Sequence, residues 1–260
     1  MDLGLAGKVI LVTGGSEGVG YGIAAACLAE GARVALCARR AELLEQAADE
    51  LRQQSGGEVL AIPADVTNPD DISGFVGQAA EHYGRVDVLV NNAGRSFAKP
   101  FEALDDADWQ ADLSLKFDAA VRCSRLVIPH MRQVGGGRII NITHPGGKAP
   151  GAGSLPTSVS RAAGIAFTKA LSLDLAADNI LVNTVCLNNI RSAQTTRYWE
   201  ARGGDDTLEA FVRKAGARIP VGRLGEPAEV GALVAFLASA HAGFITGTAI
   251  NIDGGASAVV

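Results

Sequence analysis

Thr13-Gly14-Gly15-Ser16-Glu17-Gly18-Val19-Gly20 decides the fold of this chain. The apolar run Val9-Ile10-Leu11-Val12 leads into it. A helical stretch from about Gly18 to Glu30 leads out, with Gly31 as its C-terminal cap. A strand, a glycine-rich turn and a helix in that order form a cradle for phosphate. Gly14 permits the tight turn, Gly18 lets the backbone approach a pyrophosphate, and Gly20 allows close helix packing. The helix N-terminus then offers unpaired N–H groups and a positive dipole end. Gly14, Ser16, Gly18, Val19 and Gly20 are therefore candidate positions for binding the pyrophosphate of a dinucleotide.

The next strand, Val34-Ala35-Leu36-Cys37, indicates which dinucleotide. An acid near its end would bind the ribose 2′-hydroxyl of NAD. The sequence there reads Cys37-Ala38-Arg39-Arg40, without an acid, so Arg39, with Arg40 beside it, suits a 2′-phosphate and favours NADP(H) over NAD(H). Glu17, an acid within the cradle, runs against this charge pattern.

Strands and helices alternate from there to the end. Helices are expected over about 41–54, ending near Tyr83-Gly84, over about 106–134, 157–177 and 228–239. Strands are expected at 59–62, 86–90, 138–142, 180–185 and 248–252. Apolar strands between amphipathic helices describe a parallel sheet covered on both faces. Residues 1–260 show no linker-like break and read as one doubly wound α/β domain of the Rossmann type. The polar stretch from Arg191 to Ala217 follows the carboxyl end of a strand, where open parallel sheets bind ligands, and is a candidate lid. Its Tyr198, Trp199 and Phe211 suit a partly hydrophobic ligand.

Composition narrows the function. A net charge of −5 with scattered basic residues argues against a nucleic-acid surface. No run approaches the ~18 apolar residues of a membrane span, and the start of the chain does not read as a signal peptide. Cys27, Cys37, Cys123 and Cys186 are widely spaced and read as buried reduced thiols. No His/Cys cluster has metal-ligand spacing. A cytoplasmic protein with a small-molecule substrate is expected.

Several motifs together resemble the short-chain dehydrogenase/reductase family along nearly the whole chain. The cradle matches its Thr-Gly-x-x-x-Gly-x-Gly. Asp65-Val66 matches the pair that meets adenine, and Asn91-Asn92-Ala93-Gly94 matches the turn after its fourth strand. Ile219-Pro220-Val221-Gly222-Arg223-Leu224-Gly225-Glu226-Pro227 and Asp253-Gly254-Gly255 are also similar to the family. The resemblance implies about seven strands, a homotetramer or homodimer, and cofactor contacts at Asp65, Val66, Asn92, Ala93, Gly94 and Ser192.

The resemblance further implies a proton-transfer set of Asn, Ser, Tyr and Lys. Those positions fall here on Lys116, His144, Thr157 and Arg161. A threonine alcohol is far too weak an acid to replace a phenol. Arg161 cannot release a proton but can donate to the cofactor ribose. His144 and Lys116 are titratable groups suited to acid–base work, which makes all four catalytic candidates. The expectation is an NADP(H)-dependent alcohol/carbonyl oxidoreductase with His144 as proton donor. Two alternatives stay open: a non-redox enzyme using His144 and Lys116, and an inactive dinucleotide-binding or partner protein. His144 as a plain loop residue and Lys116 as a solvent-seeking helix residue are the corresponding structural readings.

Overall fold

The computed structural model describes residues 2–260, apart from the side chains of residues 193 and 194. Seven parallel strands form one sheet: β1 (Val9–Thr13), β2 (Arg33–Ala38), β3 (Val59–Pro63), β4 (Val88–Asn91), β5 (Gly137–Thr143), β6 (Ile180–Leu187) and β7 (Ala249–Ile252). Their spatial order is β3-β2-β1-β4-β5-β6-β7. The order reverses between β1 and β4, which opens the crevice where doubly wound sheets bind ligands.

Strand alternation divides the interior in two. Ile10 and Val12 of β1 enter one core cluster with Ile23, Leu44 and Val234, while Val9 and Leu11 enter the other with Phe75, Val127 and Met131. The first cluster packs beneath α1 (Gly18–Ala29), α2 (Ala41–Ser55) and α9 (Pro227–Ala238). The second packs beneath α3 (Pro69–Tyr83), α5 (Ala119–Gln133) and α6 (Thr157–Leu175). The strands are apolar on both faces because both faces are covered.

The long helix expected over 106–134 is interrupted. It runs as α4 (Asp106–Leu113), a π-helical turn over Ser114–Asp118, and then α5. The wider turn carries Lys116 and has no signature in residue type. The candidate lid is a helix pair, α7 (Ala193–Arg202) and α8 (Leu208–Gly216). Trp199 Nε1 donates to the Asp206 carbonyl at 2.7 Å, so this aromatic ties α7 to the loop that leads into α8. A short antiparallel ribbon, Ala98–Lys99 against Leu155–Pro156, joins the segment after β4 to the start of α6.

Close approach of α1 and α9 depends on Gly22 and Gly231. A Cβ on Gly22 would lie 2.7 Å from Pro227, and one on Gly231 would collide with the Gly22 carbonyl oxygen. The helix-packing role read for Gly20 thus belongs to Gly22, because Gly20 faces the turn itself. Gly231→Ala should cost about 1–3 kcal/mol in a urea titration. Gly77→Ala, on α3 with open space around its Cβ, should instead stabilise by about 0.4–1 kcal/mol.

Candidate active site

The cradle forms where β1 turns into α1. Gly14 and Gly18 take left-handed backbone, with φ of 69° and 60°. A Cβ on Gly20 would strike the Gly14 carbonyl oxygen and lie 2.6 Å from Asn92 Nδ2. Glu17 precedes α1 without capping it through its side chain, which leaves the first-turn N–H groups to a ligand. Ser192 lies across the cradle, its Cβ 3.5 Å from where a Gly18 Cβ would be. Ser16 and Val19 are partly buried in the same turn. The glycines leave room for phosphate oxygens, and the residues present fit a dinucleotide.

The charges around the adenosine end are distributed differently from the simplest sequence reading. Glu17 does not confront the phosphate position alone. Its carboxylate accepts from Arg40 at 2.8 Å and lies 3.6 Å from Arg197 of α7. Arg40 is thereby occupied. Arg39 is 72% exposed, and its one acidic neighbour among the described residues is Asp65, at 3.9 Å. Asp65 Oδ1 accepts from Thr67 N–H and Oγ1 at 2.9 and 2.7 Å. Burial raises the Asp65 pKa, but Thr67 and Arg39 together hold it below the ordinary carboxylate value. The Val66 side chain belongs to the core cluster.

At the other end, the Asn92-Ala93-Gly94 turn is fastened to the cradle. Asn92 Nδ2 donates to the Thr13 and Gly14 carbonyls at 2.9 and 3.0 Å, and the Asn92 and Ala93 N–H groups both donate to Thr13 Oγ1 at 3.0 Å. Arg161 lies against Gly94, where a Cβ would be 3.4 Å from Nη2. Its Nη1 donates to the Ile142 carbonyl at 2.9 Å, and its buried Nε has no partner among the described residues.

Thr157, Lys116 and Arg161 converge, together with two residues the sequence reading missed. Lys116 donates to Asp112 Oδ1 and, at 2.7 Å, to Thr157 Oγ1. Ser160 donates to Asp112 Oδ2 at 2.6 Å. The side chains of Lys116 and Asp112 are 1% and 2% exposed, which overturns the solvent-seeking reading of Lys116. Burial is the main cause that lowers the Lys116 pKa. Asp112 opposes it, Arg161 and Arg95 reinforce it, and the value falls to about 8. Thr157 Oγ1 donates to the Phe97 carbonyl at 2.6 Å, so the loop after Gly94 covers the group. The spacing of Asp112 and Lys116, four residues apart on a helix, was the available signal. A cavity of about 20 Å³, room for one water, touches Lys116, Ser160, Arg161, Asn91 and Asn141.

His144 sits apart from that knot at the carboxyl end of β5. Its Nδ1 accepts from Gly146 N–H at 2.8 Å and caps the short turn Pro145–Gly147. Burial lowers its pKa below 6.5; Asn188 raises it and Arg161 lowers it further. Near neutrality the imidazole is uncharged, with its proton on Nε2. A larger cavity of about 140 Å³, lined by Asn188, Ile190, Ile219, Val221 and Asp253, lies beside the ends of β6 and β7 and touches none of the four catalytic candidates.

Residues 14–257 match the family described as enoyl-(acyl carrier protein) reductase. The chain belongs to the short-chain dehydrogenase/reductase family. It is an oxidoreductase of that family by sequence, and its sheet has the family's Rossmann-type architecture. It is 38% identical to nodulation protein G of Rhizobium sp. (strain N33), over 96% of this chain and 97% of that one. It is 37% identical to a putative ketoacyl reductase of Streptomyces coelicolor, over 95% and 96% of the two chains. The structure of L-sorbose reductase from Gluconobacter frateurii, solved with NADPH and L-sorbose, superimposes with a TM-score of 0.93 at 32% identity, covering all of both chains. Among the described residues of this reductase-family chain no helix is long and apolar enough to cross a membrane, and no cluster of metal-ligating side chains occurs.

The Asp112–Lys116 pair should behave as a buried ion pair. Asp112→Ala alone leaves Lys116 buried without its counter-ion and should cost about 3–5 kcal/mol of stability. Combining Asp112→Leu with Lys116→Met should recover most of that loss in guanidinium melts.

Proposed function

We propose that this protein is an NADP(H)-dependent oxidoreductase that interconverts an alcohol and a carbonyl through an atypical acid–base set. The observation that carries the reading is the contact between the enclosed Lys116 ammonium and Thr157 Oγ1, at 2.7 Å. The phosphates would lie on Gly14, Ser16, Gly18, Val19 and Gly20, the adenine near Asp65 and Val66, and the 2′-phosphate near Arg39. Asn92, Ala93, Gly94, Arg161 and Ser192 would hold the nicotinamide half. The NADPH complex of the sorbose reductase supports the choice of cofactor. When bound, NADPH supplies a hydride, with its two electrons, to the carbonyl carbon and leaves oxidised.

The chain's own residues handle the proton. Thr157 passes its hydroxyl proton to the carbonyl oxygen as Lys116 reprotonates Oγ1, so no free alkoxide forms on the threonine. The C=O group becomes C–O–H, and Lys116 is left as a neutral amine that regains its proton from a water in the small cavity beside it. His144, a neutral imidazole at the carboxyl end of β5, would border the substrate as a positioning residue and takes no part in the proton step. This moves the proton-donor role from His144, whose lowered pKa makes it a poor acid at neutrality, to Lys116. The α7–α8 pair is the lid, supported by the Arg197–Glu17 pair that joins it to the cradle rim. A cytoplasmic homotetramer or homodimer completes the proposal, supported by four buried free thiols.

The enclosure of Lys116 and the capture of the Thr157 proton by Phe97 favour a second reading, a dinucleotide-binding protein without turnover. The pH profile separates the two. Carbonyl reduction needs Lys116 protonated, so its rate should fall about tenfold per pH unit above roughly 8, while alcohol oxidation rises over the same interval. Lys116→Arg, whose guanidinium cannot release a proton, should abolish carbonyl reduction across the pH range, and His144→Ala should lower kcat yet leave NADPH binding intact by fluorescence titration. Binding without turnover of any carbonyl would select the second reading.

Arg39→Asp tests the cofactor choice. Loss of one charge-assisted contact and the new repulsion should reduce the NADPH/NADH ratio of binding constants by about ten- to hundredfold.

A further inference from the structure

Several cations crowd the covered site while few carboxylates face them. Asp112 is shared by Lys116 and Ser160. Arg161 donates only to the Ile142 carbonyl among the described residues, and the one carboxylate whose charge acts on it, Asp112, is the one already shared. Arg95, which directly follows Gly94 above the Arg161 guanidinium, is exposed, and its guanidinium lies 5.8 Å from the centre of the Phe97 ring. No acid lies within ion-pair distance of Arg95 among the described residues. Lys148 donates to two neutral groups, the Ala249 carbonyl at 2.6 Å and Asn251 Oδ1 at 2.7 Å. Asp253, the other acid close by, has its oxygens on the N–H groups of Gly255 and Ser257. Lys99, whose ammonium lies 4.7 Å from the centre of the Phe97 ring, is paired with Asp108 at 3.0 Å.

The chain as a whole is acidic, at −5, so a positive excess here is a local feature rather than the background of the surface. A pocket with uncompensated guanidinium groups concentrates anions, and the planar guanidinium matches the two oxygens of a carboxylate. Phe97 places Arg95 at the mouth, because the same residue's backbone covers Thr157 through its carbonyl at 2.6 Å and its N–H at 3.3 Å. A group held by Arg95 therefore lies one side chain away from the proposed relay.

We propose that the substrate is a keto acid, whose carboxylate is gripped by Arg95 in the field of Arg161 while its carbonyl is presented to Thr157. The assignment rests on the carbonyl-reductase reading and adds the substrate's charge to it. The shared chemistry is a small oxyanion. A phosphate on a carrier arm could supply it as well as a carboxylate, and the test separates these sources.

The experiment has two independent arms. The first measures NADPH oxidation with a panel of 2-oxo and 3-oxo acids and with their methyl esters. The acid should exceed its ester by at least tenfold in kcat/KM. Arg95→Gln should collapse that preference through KM, Arg95→Lys should keep part of it, and added salt should erode it. Equal use of acid and ester, or a preference that survives Arg95→Gln, overturns the proposal while leaving carbonyl reduction standing. The second arm titrates glutarate and inorganic phosphate into the NADPH-saturated protein by calorimetry. If no carbonyl compound is reduced, glutarate binding that Arg95→Gln abolishes still upholds the carboxylate site. Phosphate binding without glutarate binding, or binding of neither, overturns it.

Discussion

The clamp between Thr13 and Asn92 is the constraint on which the rest depends. Thr13 ends β1 and Asn92 directly follows β4, the two strands between which the sheet order reverses. Parallel strands that diverge into separate crossovers leave their carboxyl-end loops free to splay. Here Asn92 Nδ2 bridges the Thr13 and Gly14 carbonyls, and Thr13 Oγ1 accepts two backbone N–H groups from the opposite loop. Gly20 lacks a Cβ because the Gly14 carbonyl and that amide occupy the space. The phosphate cradle and the Gly94 turn are thus one rigid unit. Arg161, Arg95 and Phe97 take their positions from its edge.

A second polar chain extends this unit across the sheet. Asn91 Nδ2 donates to Asn141 Oδ1 at 2.8 Å, Asn141 Nδ2 donates to Thr168 Oγ1 at 2.9 Å, and Thr168 meets Thr184 at 2.7 Å. Four elements, β4, β5, α6 and β6, are held in register beneath the site by buried side chains. Buried polar networks of this kind specify a unique arrangement when their members are satisfied. Asn91 Oδ1 and Arg161 Nε stay without protein partners, and both residues line the same small cavity.

The fold and the cradle were legible in the sequence because their signals are local. Strand runs, a glycine turn and Asn91-Asn92-Ala93-Gly94 each state their geometry within a few residues. The site was legible only as a set of positions. Lys116 reads as a polar residue on a helix; its enclosure is created by Asp112 one turn earlier, Thr157 forty-one positions later, and the Phe97 loop above. No local pattern encodes that meeting, nor the π turn that carries Lys116. Glu17 was misjudged for the same reason, since Arg40 and Arg197 approach it from two other elements.

In the proposed reading the chemistry of the family is rearranged without losing its division of labour. There a titrating lysine beside the cofactor ribose tunes a phenol that delivers the proton. Here the residue beside Gly94 is Arg161, a cation that cannot titrate, and the tuned group is the amine of Lys116. Burial does most to depress the Lys116 pKa, and Arg161 adds to it by making a second positive charge unwelcome. Thr157 then needs no acidity of its own, because the proton it passes on is replaced from behind in the same step. An alcohol in place of a phenol is therefore compatible with turnover only while Lys116 stays enclosed and charged. That condition is what Asp112 maintains, since the carboxylate keeps an ammonium in a place where burial alone would leave a neutral amine.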